Sequence, residues 1–145
     1  MNEDEITRFI VDLEGVETAT ANGDTFFFHG AERMFPFVTL VMSNFNDSYS
    51  DLDRPGVFRL NIGVTRQTFR ALFGAPGARD ADPADSAGTG YDFTALDTLL
   101  PHPVYGRQYW LCILNPGPAT FAERVVPLLT EAHELATGKR SRRAE

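Results

Sequence analysis

Residues 54–64 read Arg-Pro-Gly-Val-Phe-Arg-Leu-Asn-Ile-Gly-Val, a turn signal followed by a run in which every second residue is apolar. A strand sends successive side chains to opposite faces, so this spacing fits a strand and not a helix. Phe58, Leu60, Ile62 and Val64 then share one face, and Arg59 and Asn61 share the other. The first face demands a cover of other apolar elements. The second, with an arginine and an asparagine in mid-strand, is either a solvated sheet face or the polar floor of a pocket.

The rest of the chain must supply the cover. Its 145 residues are 43 % hydrophobic, enough for one domain with its own core. Ile6, Phe9, Ile10 and Leu13 recur at helical spacing, with Asn2 and Glu5 placed to cap the start and Gly15 the end, which predicts a helix over 3–14. Val16–Thr20 and Thr25–His29 flank Asn22-Gly23, a hairpin signal. Phe35–Met42 forms a further strand, and Asn44–Arg54 a polar loop that is either a lid or a surface excursion. Thr65 and Gly74 bracket a short helix whose apolar side is Phe69, Leu72 and Phe73. Residues 75–90, rich in Ala, Gly, Asp and Pro, read as a flexible loop. A helical turn is expected from Asp92 or Thr94 through Leu100, a rigid connection at Pro101–Gly106 and a last strand at Gln108–Leu114. Thr120 and Glu123 form a capping box for a final helix, in which Pro127 predicts a kink.

Most of the strand connections are too short for parallel crossovers, which need about a dozen residues. The expected fold is α+β: a single domain over 1–138 with an antiparallel sheet of about five strands and helices mainly on one face, then a basic flexible tail over 139–145.

Charge bears on partners. The tail holds four basic residues and one acid, leaving nine basic and nineteen acidic residues in 1–138, a net of −10. Such a field repels a phosphate backbone, so nucleic-acid binding is not expected. No apolar stretch reaches the roughly 18–20 residues of a membrane span, and Met1–Glu5 is acidic where a secretory signal is basic. A cytoplasmic protein is expected. The one cysteine, Cys112, lies in an apolar run and reads as a buried small hydrophobe.

The segments Asp51–Val64, Tyr91-Asp-Phe-Thr-Ala-Leu-Asp97 and Pro101-His-Pro-Val-Tyr-Gly-x-x-Tyr-Trp110 resemble those of an uncharacterised bacterial family, domain of unknown function 6194. More distantly, the last strand, Trp110 and the closing helix are similar to the small MmcQ/YjbR-like proteins. That second likeness implies a compact α+β fold and, for some members, a DNA-binding role that the acidic body opposes.

Motifs for chemistry are sparse. No P-loop, dinucleotide fingerprint or Gly-x-Ser-x-Gly elbow occurs, and no cofactor is expected. His29, His102 and His133 lack metal-ligand spacing, and His133 reads as exposed, so no metal is expected there. Asp47, Asp51 and Asp53 form an acidic loop without the glycine and distal glutamate of a calcium site, and one of them is expected to pair with Arg54. The candidate ligand-binding residues are Arg59, Asn61, His102, Tyr105 and Trp110. Prolines 101 and 103 restrict the backbone around His102, which suits either a preorganised imidazole or a fixed turn. The leading expectation is a protein that binds a small molecule or a protein partner on this polar–aromatic surface. The alternatives are an enzyme using His102 as general acid or base with Arg59 clamping an anion, and a nucleic-acid-associated protein.

Overall fold

The computed structural model describes residues 2–30, 35–74 and 91–138. The loop expected at 75–90 and the tail at 139–145 lie outside the described residues. Asn2 and Glu5 close the expected reciprocal cap: Asn2 Oδ1 accepts from the Glu5 amide at 2.8 Å, and Glu5 Oε1 from the Asn2 amide at 2.9 Å. They start α1 (Glu3–Val11), shorter than expected, and Gly15 at φ +71° turns the chain into the sheet.

β1 (Val16–Ala21) and β2 (Asp24–His29) pair across Asn22 and Gly23, both at positive φ as a tight hairpin turn requires. β3 (Val38–Val41) and β4 (Arg59–Gly63) continue the sheet. β5 (Leu100–Pro101) and β6 (Trp110–Leu114) complete six strands in the order β1-β2-β3-β4-β6-β5, every neighbouring pair antiparallel.

β5 corrects the helical turn expected through Leu100. The Asp92 carboxylate accepts from the Thr94 amide at 2.9 Å and its hydroxyl at 2.6 Å, closing a turn that goes no further. Proline at 101 then pushes Leu100 toward an extended backbone, and an edge strand tolerates the amide that Pro101 lacks. The C-terminal helix is also different. Gly117 is its N-cap and Pro118 its first residue, so Thr120 and Glu123 lie inside it and form no capping box. α3 (Pro118–Thr120) passes through a π-helical turn (Phe121–Val125) into α4 (Val126–Thr137). Pro127 has no amide to donate one turn back, and the ladder widens just before it.

The alternation in β4 has the expected phase. Phe58, Leu60, Ile62 and Val64 are each at most 2 % exposed and join Phe27, Val38, Leu40, Leu111 and Ile113 in one core. Ile6 and Ile10 of α1, Phe69 of α2 (Arg66–Phe73) and Leu128, Leu129 and Ala132 of α4 cover it. Glu131 of α4 also holds the start of α2, its carboxylate accepting from the Thr65 amide at 2.8 Å and the Thr68 hydroxyl at 2.7 Å. Helices therefore occupy one face, and irregular chain covers the other. No helix among the described residues is long and apolar enough to cross a membrane.

Leu60 sits in the middle of the core with no exposure. Leu60→Ala should lose roughly 2–5 kcal/mol, read as a lower urea midpoint at unchanged slope. A loss under about 1 kcal/mol would show that this face is not the packed one.

Candidate functional site

The face opposite the helices is built around Arg59, 1 % exposed and among the largest fully buried side chains. Cross-strand pairing places it beside Val41 and Leu114, and Asn61 beside Thr39 and Cys112. A guanidinium cannot be left unpaired there, and the chain between β3 and β4 meets it. Asp47 accepts two bonds, from Nη1 at 3.0 Å and from Nη2 at 2.8 Å, in the bidentate geometry that suits the planar fork. Ser50 Oγ accepts from Nη1 at 3.1 Å and Asn61 Oδ1 from Nε at 3.0 Å, while the Asn61 amide donates to Thr39 Oγ1 at 2.9 Å.

The loop that carries Asp47 is itself anchored. Asp24, 1 % exposed, accepts from the Met42 amide and from Asn46 at its start. Leu52 packs with Val41 and Leu114, its amide donating to Asn44. Arg54 donates to the carbonyls of Asp51, Ser50 and Thr94, and its Nε lies 3.8 Å from the Asp51 carboxylate, the acidic pairing expected for it. Of the three loop aspartates, Asp47 is spent on Arg59 and Asp53 accepts from the Asn44 amide, so they converge on no common point. The pairing of Asp47 with Arg59 had no signal in the sequence, because the two are joined through an aperiodic loop.

His102 extends the ladder beyond β5, its amide donating to the Trp110 carbonyl at 3.0 Å. Alternation from Leu100, opposite Cys112, puts His102 on the face of Trp110, Asn61 and Arg59. The ring is 6 % exposed, and its Nδ1 accepts from the amides of Val104 and Tyr105, each at 3.0 Å. An acceptor at Nδ1 fixes the neutral tautomer with its proton on Nε2. Burial pushes the imidazole pKa down to about 3, with the Arg59 charge acting the same way and Asp47 offsetting only part. For Asp47, burial raises the pKa, but the hydrogen bonds and charge of Arg59 together outweigh it and hold the carboxyl below its ordinary value.

Nε2 of His102 makes no hydrogen bond among the described residues. No buried side-chain nitrogen or oxygen there lacks a partner, so Nε2 reaches the surface. Beside it the Tyr105 ring stands 5.0 Å away, 50 % exposed, and Trp110 is half-buried. The five candidate residues thus lie on one side of the sheet in two tiers: Arg59 and Asn61 in an internally bonded floor, His102, Tyr105 and Trp110 at a rim. Cys112 is fully buried beneath, and burial pushes its thiol up to about 12, so it is no nucleophile. A separate cleft of about 450 Å³, lined by Asp97, Thr98, Leu99, Ala119, Thr120, Glu123 and Arg124, contains none of the five. His133, expected on the surface, is 9 % exposed and packs against His29 and Phe37.

An antiparallel six-stranded sheet with helices on one face and a polar network under irregular chain on the other defines an α+β domain. The chain belongs to a family of unknown function, DUF6194, whose model matches residues 1–145. No curated protein and no solved structure matches it, and the MmcQ/YjbR likeness finds no support there.

Asp47→Asn removes the whole carboxylate charge that compensates Arg59 and leaves the guanidinium buried. The variant should lose roughly 3 kcal/mol in chemical denaturation, and a loss near zero would mean that the pair is not buried in solution. His102 yields a pH signature. Its folded pKa lies below the unfolded value of 6.5, so its contribution to stability is complete above 6.5 and is lost as pH falls toward about 3. The His102 ring resonances should stay those of a neutral Nε2–H tautomer at pH 5. A midpoint near 6.5 would contradict the buried geometry.

Proposed function

We propose that the protein binds a small organic ligand at the rim formed by His102, Tyr105 and Trp110. The observation that carries this reading is the Nε2–H of His102. It is the unspent donor of a ring otherwise buried and locked, with the Tyr105 ring 5.0 Å away and Trp110 opposite it across the strand pair. A neutral, fixed donor next to aromatic faces suits a planar or apolar ligand that presents an oxygen or nitrogen acceptor. Arg59 and Asn61 have a supporting role in this reading. Three of the Arg59 nitrogens already donate to Asp47, Ser50 and Asn61, so they set the floor and do not clamp an anion.

The same tautomer weighs against His102 as a general base, because its lone pair faces two backbone amides and its outward nitrogen carries the proton. A nucleic-acid role has the acidic body against it.

Trp110 is the sole tryptophan, so its fluorescence reports directly on the rim. A screen of small aromatic carbonyl and heteroaromatic compounds should give saturable changes in that signal. Tyr105→Ala, at an exposed position, should weaken the hits by about tenfold or more while the melting temperature holds. No saturable hit, or hits indifferent to Tyr105→Ala, would overturn the proposal.

A further inference from the structure

On the other side of the sheet, three chain segments bring together the remaining two histidines and an acid. Glu14 lies in the turn after α1, His29 ends β2, and His133 projects from the middle of α4. One ligand atom from each, two imidazole nitrogens and a carboxylate oxygen, lies within 4.8 Å of the others. The exposures are graded: Glu14 exposed, His29 half-buried, His133 buried. We propose that this cluster binds a divalent transition-metal ion of the zinc class.

The donor set is the first argument. Two imidazoles with one carboxylate suit zinc and its neighbours, whereas magnesium and calcium take oxygen ligands. Three protein ligands leave a fourth tetrahedral position to water, and the exposed Glu14 side marks where that position opens. Tetrahedral bonds of about 2.0–2.1 Å put ligand atoms about 3.4 Å apart, so atoms within 4.8 Å of one another need draw in by at most about 1.4 Å. The exposed Glu14 side chain has the freedom to do this.

The support around the ligands is the second argument. His133 Nε2 lies 2.7 Å from the Glu14 carbonyl, an oxygen that can only accept, so His133 donates there and keeps its lone pair on Nδ1. A backbone carbonyl that fixes the tautomer is the usual companion of a ligating histidine. Phe37 packs on the His133 ring at 5.8 Å, and the His29 ring meets it edge-on at 5.6 Å. Gly15 leaves room for His29: a Cβ there would stand 2.9 Å from His29 Nε2, and its φ of +71° disfavours any side chain. The Gly15 carbonyl accepts from the Gly30 amide at 2.7 Å, which ties the acid's segment to the end of β2 next to His29.

The test is calorimetric titration of chelator-treated protein with zinc chloride near pH 7.5, with magnesium chloride as comparison, and thermal melting in parallel. Zinc should bind one to one and raise the melting temperature, and magnesium should do neither. His29→Ala and Glu14→Gln change residues that are not buried, and circular dichroism verifies that both remain folded. Each should weaken zinc binding by at least about tenfold, while Asp51→Asn in the acidic loop should leave it unchanged. Absence of stoichiometric zinc binding to the unaltered protein overturns the proposal. So does zinc affinity that survives both His29→Ala and Glu14→Gln.

Discussion

The ion pair between Arg59 and Asp47 decides what the second face of this sheet can be. Burying a guanidinium costs several kcal/mol unless its donors are met with good geometry, and here four bonds from two segments meet it. The alternation that aims Leu60 and Ile62 at the helices aims Arg59 at the opposite face. The loop after β3 is therefore held on the sheet by charge, with Leu52 supplying apolar contact beside it. What could have been a solvated face becomes a second, smaller interior.

That interior has a chemical consequence for His102. A largely buried histidine near a fixed positive charge gives up its proton, and the paired carboxylate only softens the effect. The two prolines around it straighten the chain into a strand edge. The amides of Val104 and Tyr105 then face Nδ1 and select the tautomer. The ring is thereby preorganised as a donor, and the Arg59 charge acts on it through its field.

The sequence carries the features that depend on neighbours. The phase of β4, the Asn22-Gly23 hairpin and the Asn2–Glu5 cap are local patterns, and each appears where its residues predict it. Features set by distant partners were not legible. β5 exists because Pro101 and Leu100 fall beside β6, and two residues are too few to show a period. The π-helical turn replaces a capping box whose residue types were right, because Gly117 and Pro118 start the helix earlier. Asp47 finds Arg59, and Glu14 finds His133, only once the sheet has formed, since neither pair has a spacing that a helix or strand would bring together.

Both polar clusters nevertheless follow from one physical rule. A charged or hydrogen-bonding side chain inside a small domain persists only where the chain can bring it partners, so each buried polar residue marks a tertiary contact. At Arg59 every partner comes from within, the network is closed, and the result is rigidity. At His102 and at His133 the fold fixes one nitrogen with backbone, which leaves the other nitrogen defined in position and protonation but not consumed by the same bond. A closed network needs nothing further to be stable. A half-fixed imidazole is different, because its geometry is already set before anything binds and binding adds little ordering cost. Function in this chain is therefore sought at the two half-fixed histidines, and Arg59, with four of its five N–H donors engaged, fits the scaffold that holds one of them.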